Sequence, residues 1–146
     1  MDFELKGKKA IVSAGGSGIG FSIVEEFIKQ GVTISTCDID ENRVQELRDK
    51  YPQIYAQVVD VGDEQAVKEF CIKSIEFLDG LDCLVNNAGV AGPTLAIEEI
   101  DSEDWSHCLN VCLSSQFYFV KSCLKQLRKS TSASIVNLSS AAGQYG

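Results

Sequence analysis

The sequence predicts an α/β fold, a parallel sheet wound on both faces by helices, and three observations carry that prediction. Strand-like apolar runs alternate with helix-like amphipathic runs along the whole chain. A glycine-rich turn, Ser13-Ala14-Gly15-Gly16-Ser17-Gly18-Ile19-Gly20, joins the first strand-like run to the first helix-like one. An acidic residue, Asp38, closes the second strand-like run. With 146 residues and no repeat, low-complexity tract or linker, residues 1–146 read as one domain, burying about two-thirds of the unfolded surface.

Each element has a local reason. Ala10-Ile11-Val12 is a short buried-strand run, and Ile19, Ile23, Val24, Phe27 and Ile28 recur at helical spacing up to Gln30, with Gly31 as the stop. Val32 to Cys37 is a second strand running into Asp38-Ile39-Asp40, and a helix through Val44 and Leu47 ends at Tyr51 before Pro52. Ile54 to Val59 is a third strand, closed by Asp60-Val61. Asp63 suits the N-cap of a helix whose Val67, Phe70, Cys71, Ser74, Ile75 and Leu78 share one face, with Gly80 ending it. Leu81 to Val85 is the fourth strand and leads into Asn86-Asn87-Ala88-Gly89. After a loop through Pro93, Ser102 is an N-cap candidate for one long helix over 103–129, too apolar for a single stripe and so expected to be covered on more than one side. Ser134 to Leu138 is the fifth strand.

Composition narrows the function. A net charge of −8 and a pI near 4.6 argue against nucleic acid or an anionic membrane as partner, since both need clustered Lys and Arg. The apolar runs are far shorter than the ~18 residues of a membrane span, and the charged start, Met1 to Lys9, does not resemble a signal peptide. A cytoplasmic location is expected. The six cysteines, Cys37, Cys71, Cys83, Cys108, Cys112 and Cys123, have no paired spacing and lie in apolar segments, so they read as reduced, buried thiols. His107, Cys108 and Cys112 supply too few donors for a tetrahedral metal site, and no metal is expected.

Two features carry chemistry. The glycine turn reads as a phosphate cradle: its glycines let a pyrophosphate come close to backbone N–H groups, and the helix dipole adds about 0.3–1 kcal/mol. A strand-to-helix turn needs glycine for steric reasons in any case, so the cluster alone leaves both readings open. Asp38 stands 18 residues after Gly20, close to the ~20 expected of the acid that binds an adenosine ribose diol. A carboxylate there repels a 2′-phosphate, and no Arg or Lys stands at Gly16, Ser17, Cys37 or Ile39 to receive one, which favours NAD over NADP. Asp38 and Asp40 also read as caps of the next helix, for which Asp40 alone suffices.

The pattern from Ser13 to Gly20 resembles the Thr-Gly-x-x-x-Gly-Ile-Gly turn of the classical short-chain dehydrogenase/reductase family, with Ser13 for the usual Thr and Ala14 for the first Gly. Asn86-Asn87-Ala88-Gly89 is similar to the family's signature after strand four, Asp60-Val61 to its adenine contact, and Ser134-Ile135-Val136-Asn137-Leu138-Ser139-Ser140 to its fifth strand. The resemblance implies a Rossmann-type doubly wound sheet of about five strands in the order 3-2-1-4-5, incomplete at the strand-five edge. It implies NAD(H) contacts from Ser13, Gly15, Ser17, Gly18, Ile19, Gly20, Asp38, Ile39, Asp60, Val61, Asn87, Ala88 and Gly89.

The family's chemistry is hydride transfer between nicotinamide and a small alcohol or ketone, with a Tyr as acid/base, a Lys that lowers its pKa, a Ser that orients the substrate oxygen and a helix Asn that anchors a relay water. Ser140 matches the Ser, although Ser139 and Ser140 also read as the start of a turn. Cys112 stands where the Asn is expected, and Asn110 is rotated about 200° from it on a helix. The Tyr-x-x-x-Lys helix falls beyond Gly146, and Tyr145 reads as a loop aromatic. Without a positioned acid/base, worth about 10²–10⁴-fold, the chain is expected not to turn over at a useful rate. The first reading is therefore the N-terminal portion of an NAD-dependent oxidoreductase. The alternatives are a noncatalytic NAD-binding relative that associates with a partner, and a remnant that does not fold. The helix over 103–129 is the surface through which a homo-oligomer would form.

Overall fold

The computed structural model describes residues 3–144, so Tyr145 lies outside the described residues. Five strands, β1 (Lys9–Val12), β2 (Thr33–Asp38), β3 (Tyr55–Val58), β4 (Cys83–Asn86) and β5 (Ser134–Asn137), form one sheet. The order is β3-β2-β1-β4-β5 with every neighbouring pair parallel, as the family resemblance implies. Between them run α1 (Gly18–Lys29), α2 (Glu41–Lys50), α3 (Glu64–Leu78), α4 (Ser102–Leu109) and α5 (Ser115–Leu127).

Strand alternation sorts the apolar residues onto two faces. Ile11, Cys37 and Leu84 join Val67, Phe70 and Cys71 of α3 and Phe119, Cys123 and Leu127 of α5 in one core. Ala10, Val12, Ile34, Ala56 and Val85 face the other way, against Val24 of α1 and Val44 and Leu47 of α2. Three of the buried hydroxyls are paired: Ser35 Oγ lies 2.6 Å from Ser74 Oγ, and Thr36 Oγ1 donates to Val12 O at 2.7 Å, whereas the buried Asn86 Oδ1 has no partner among the described residues. On β5 all four residues are exposed, Ile135 and Val136 among them, while Leu138 just beyond packs partly into the second core.

Three local expectations are corrected. The helix expected over 103–129 starts at Ser102 with Asp101 as its N-cap, and a five-residue π-turn, Asn110–Ser114, divides it into α4 and α5. Its outward side chains Trp105, Leu109, Leu113 and Phe117 are exposed. At the end of α3 the left-handed position falls on Asp79 (φ 52°), one residue before Gly80; a short polar side chain tolerates that conformation better than most. Of the six cysteines only Cys37, Cys71 and Cys123 are buried, whereas Cys83, Cys108 and Cys112 are half-buried.

Burial raises the Cys37 thiol from 9.0 to about 12, and burial also raises Cys83. A thiol raised in the folded state stays protonated while its unfolded counterpart ionises, so the unfolded chain binds fewer protons above the ordinary thiol value. Its contribution is intact below pH 9.0 and is lost as pH rises toward about 12. Urea-unfolding midpoints should accordingly be flat from pH 7 to about 8.5 and fall above it, and Cys37→Ala should flatten that alkaline limb.

Candidate functional site

The strand order reverses between β1 and β4, because the chain leaves β1 toward β2 on one side and returns through β4 on the other. The crevice outside the carboxyl ends of such strands is where ligands bind in open α/β sheets. Here the exits of β1 and β4 are bound to each other. Ser13 N donates to Val85 O at 3.0 Å, and the buried Ser13 Oγ accepts from Asn87 N at 2.9 Å and Ala88 N at 3.1 Å. The Asn87 amide donates back to Ser13 O and Ala14 O, both at 3.0 Å.

That closure needs two special backbone positions. A Cβ on Gly20 would lie 2.1 Å from Ala14 O and 2.4 Å from Asn87 Nδ2, so only glycine allows the approach. Ala14 itself has φ 53°, the left-handed region, which costs an L-residue roughly 1–2 kcal/mol. The family's glycine at this position would take it freely.

The turn leaves the start of α1 open to an anion. Its N-cap Ser17 makes no side-chain cap bond and its first turn has no acidic residue. By contrast, Asp40 caps α2 through Asn42 N and Arg43 N, and Asp63 caps α3 through Gln65 N and Ala66 N. The first intrahelical bond of α1 comes from Phe21 N to Ser17 O at 3.1 Å, so the N–H groups of Gly18, Ile19 and Gly20 have no partner from the helix. Nothing lies within 4 Å of the outward direction at Gly18. Gly15 N and Gly16 N point the other way, to Cys37 O and to Asp38 Oδ2, each at 2.9 Å. Ser13 and Gly15 thus hold the turn from behind, whereas Ser17 to Gly20 front it.

Asp38 is 5% exposed at the end of β2. Its Oδ2 accepts from Gly16 N at 2.9 Å and its Oδ1 from Asp40 N at 3.1 Å. Because Asp40 caps α2, Asp38 is free of that duty. Arg43, missed in the sequence, donates through Nη1 to Ser17 Oγ at 2.8 Å and lies 3.5 Å from Asp40 through Nε. The signal was available: with Asp40 as N-cap, Arg43 falls at the third helical position, on the side of the glycine turn. Asp38 and Ile39 line a cavity of about 120 Å³ together with Asp60, Val61, Ala88, Gly89, Val90, Val111 and His107. The uncapped helix start, the buried carboxylate and this slot suit the phosphates, ribose and base of a dinucleotide.

The remaining candidates sit toward β5. Ser140 Oγ accepts from Ala142 N at 3.2 Å, capping a short 3-10 turn, Ala141–Gly143, and the residue is exposed. Cys112 both donates to Val90 O and accepts from Val90 N at 3.3 Å, and the Cys108 thiol reaches the same carbonyl at 3.8 Å. Partial burial and the neighbouring Cys112 raise the Cys108 pKa. His107 lines the cavity, and among the described residues no three His, Cys, Asp or Glu converge as metal ligands.

The family model described as short chain dehydrogenase matches residues 8–146. The chain is 31% identical over 150 residues to the 3-oxoacyl-[acyl-carrier-protein] reductase FabG of Chlamydia pneumoniae, covering 100% of this chain and 60% of that one. It is 34% identical over 146 residues to the L-fucose dehydrogenase of Bos taurus, covering 100% of this chain and 54% of that one. Among solved structures, a short chain dehydrogenase from Mycobacterium smegmatis superimposes with a TM-score of 0.87 at 32% identity, over 95% of this chain and 59% of that one. The chain therefore spans a little over half the length of these relatives.

Replacing Gly20 tests the closure directly. Gly20→Ala should lower stability by about 1–3 kcal/mol in chemical denaturation, the usual cost of overpacking, since neither Ala14 O nor the Asn87 amide can retreat without breaking its bonds.

Proposed function

The chain belongs to the short-chain dehydrogenase family, and on that premise we propose that residues 1–146 form the cofactor-binding unit of an NAD(H)-dependent oxidoreductase. The observation that carries this reading is the uncapped, acid-free start of α1 facing the crevice beside the buried Asp38. The bound nicotinamide would supply or accept the hydride. Gly18, Ile19 and Gly20 would bind the pyrophosphate through backbone N–H groups, and Asp38 would accept from the ribose hydroxyls. Asp60 and Val61 would face the base, and Ile39 would pack beside it. Asn87, Ala88 and Gly89 would form the wall toward the reacting ring, with Ser140 positioning the substrate oxygen.

The substrate class is a small alcohol or ketone. The two relatives' names fit it, one being a reductase of a 3-oxoacyl group and the other a dehydrogenase of a sugar. The 146 residues contain no Tyr-x-x-x-Lys pair, so this unit by itself is proposed to bind cofactor without useful turnover. A noncatalytic role has one observation in its favour: Cys112, at the position of the family's Asn, has its thiol engaged with Val90 N and Val90 O. The exposed Trp105, Leu109, Leu113 and Phe117 then offer the surface for association.

Asp38 is also proposed to set the preference for NAD over NADP, by excluding a 2′-phosphate. Arg43, held on Ser17 nearby, is the cation on which a 2′-phosphate would fall once that exclusion is relieved. Calorimetric titration should show NAD binding more tightly than NADP, and Asp38→Ala should narrow the ratio by about tenfold or more, the scale of a charge-assisted hydrogen bond. A flat titration of the unmodified chain with both dinucleotides would overturn the cofactor reading.

A further inference from the structure

The loop between β3 and α3 is held by a side chain that comes from a distant part of the sequence. Asn110 is the first residue of the π-turn between α4 and α5. Its Nδ2 donates to Gly62 O at 2.7 Å, and its Oδ1 accepts from the Tyr118 hydroxyl at 3.1 Å. Tyr118 is partly buried against the first core, so the amide is oriented from the interior. The same glycine is gripped from its other side, where Gly62 N donates to Asp60 Oδ1 at 2.8 Å. A Cβ on Gly62 would stand 2.8 Å from Asn110 Nδ2 and 3.1 Å from Asp60 Oδ1, so the loop is closed tightly around the amide.

We propose that Asn110 is a positioning residue that fixes Asp60 and Val61 for recognition of the 6-amino edge of a purine; the inference rests on the cofactor reading above. Asp60 and Val61 line the cavity. With Oδ1 turned back onto Gly62 N, the second carboxylate oxygen of Asp60 remains as an acceptor, and an adenine edge offers an amino donor to match it. Asn110 reaches Gly62 while Cys112, two residues on and so on the opposite side of the turn, faces Val90. One turn of helix therefore braces both the base side of the cavity and the loop leaving β4.

The test compares NAD with nicotinamide hypoxanthine dinucleotide, in which an oxo group replaces the 6-amino group. The unmodified chain should bind NAD more tightly. Asn110→Ala should weaken NAD by about five- to tenfold, the scale of one lost hydrogen bond, and shift the hypoxanthine analogue far less, so that the discrimination collapses. Asn110→Asp keeps the size and the acceptor for Tyr118 but cannot donate to Gly62 O, and it should follow the alanine variant. Tyr118→Phe, a milder change, should lose about two- to threefold in the same direction. Amide exchange at Val61 and Gly62 should quicken in all three without any dinucleotide present. Equal losses for both dinucleotides, or undiminished discrimination in Asn110→Ala, would overturn the inference while leaving the cofactor reading in place. An unmodified chain that binds both equally would do the same, whereas one that binds neither overturns the cofactor reading itself.

Discussion

The architecture depends on the bonding of the β1 exit to the β4 exit through one buried hydroxyl. Ser13 Oγ receives two consecutive backbone N–H groups, from Asn87 and Ala88, in a place where an unpaired amide would cost about 1–3 kcal/mol. The Asn87 side chain completes the closure on Ser13 O and Ala14 O, and Gly20 gives it room. Two neighbouring parallel strands are thus tied together at their ends, and Gly20 of α1 packs against that tie. Without this closure the glycine turn would have no fixed relation to the loop that follows β4.

On the proposed cofactor reading, the helix starts would divide the labour between folding and binding. Carboxylates cap α2 and α3 from within the chain, while α1 has neither a side-chain cap nor an acidic first turn. A helix start left unsatisfied inside a crevice is an instability that a bound anion relieves. The strained φ of Ala14 lies in the same turn. An uncapped helix start and a left-handed alanine thus share one turn, where a bound anion would compensate them.

Most of the sheet was legible because a strand buried on both faces writes itself as an apolar run between turn residues, as at Ala10-Ile11-Val12. The caps Asp40 and Asp63 followed from residue type, and Asp38 from its distance to Gly20. What escaped was side-chain direction. Arg43 is unremarkable as a helix residue until the glycine turn is seen beside it. The π-turn at Asn110–Ser114 leaves no mark in apolar spacing, and the continuous helix over 103–129 was therefore expected. The family resemblance likewise implies a site role for Asp60 and Val61 but does not show that Asn110, 48 residues from Gly62, holds their loop. Cys83, Cys108 and Cys112 read as buried because they neighbour apolar residues, although each is only half-buried.

The two hydrogen bonds that Asp38 accepts from Gly16 N and Asp40 N have a consequence for the character of binding. A carboxylate already locked in one rotamer has little freedom left to lose, so the ordering penalty of about 0.5–1.5 kcal/mol for a mobile side chain falls on folding instead of on association. The preorganised oxygen accommodates a ligand only along the directions its existing donors leave open. On the proposed cofactor reading, selectivity at this position would be geometric as well as electrostatic, and it would belong to the turn and to β2 jointly.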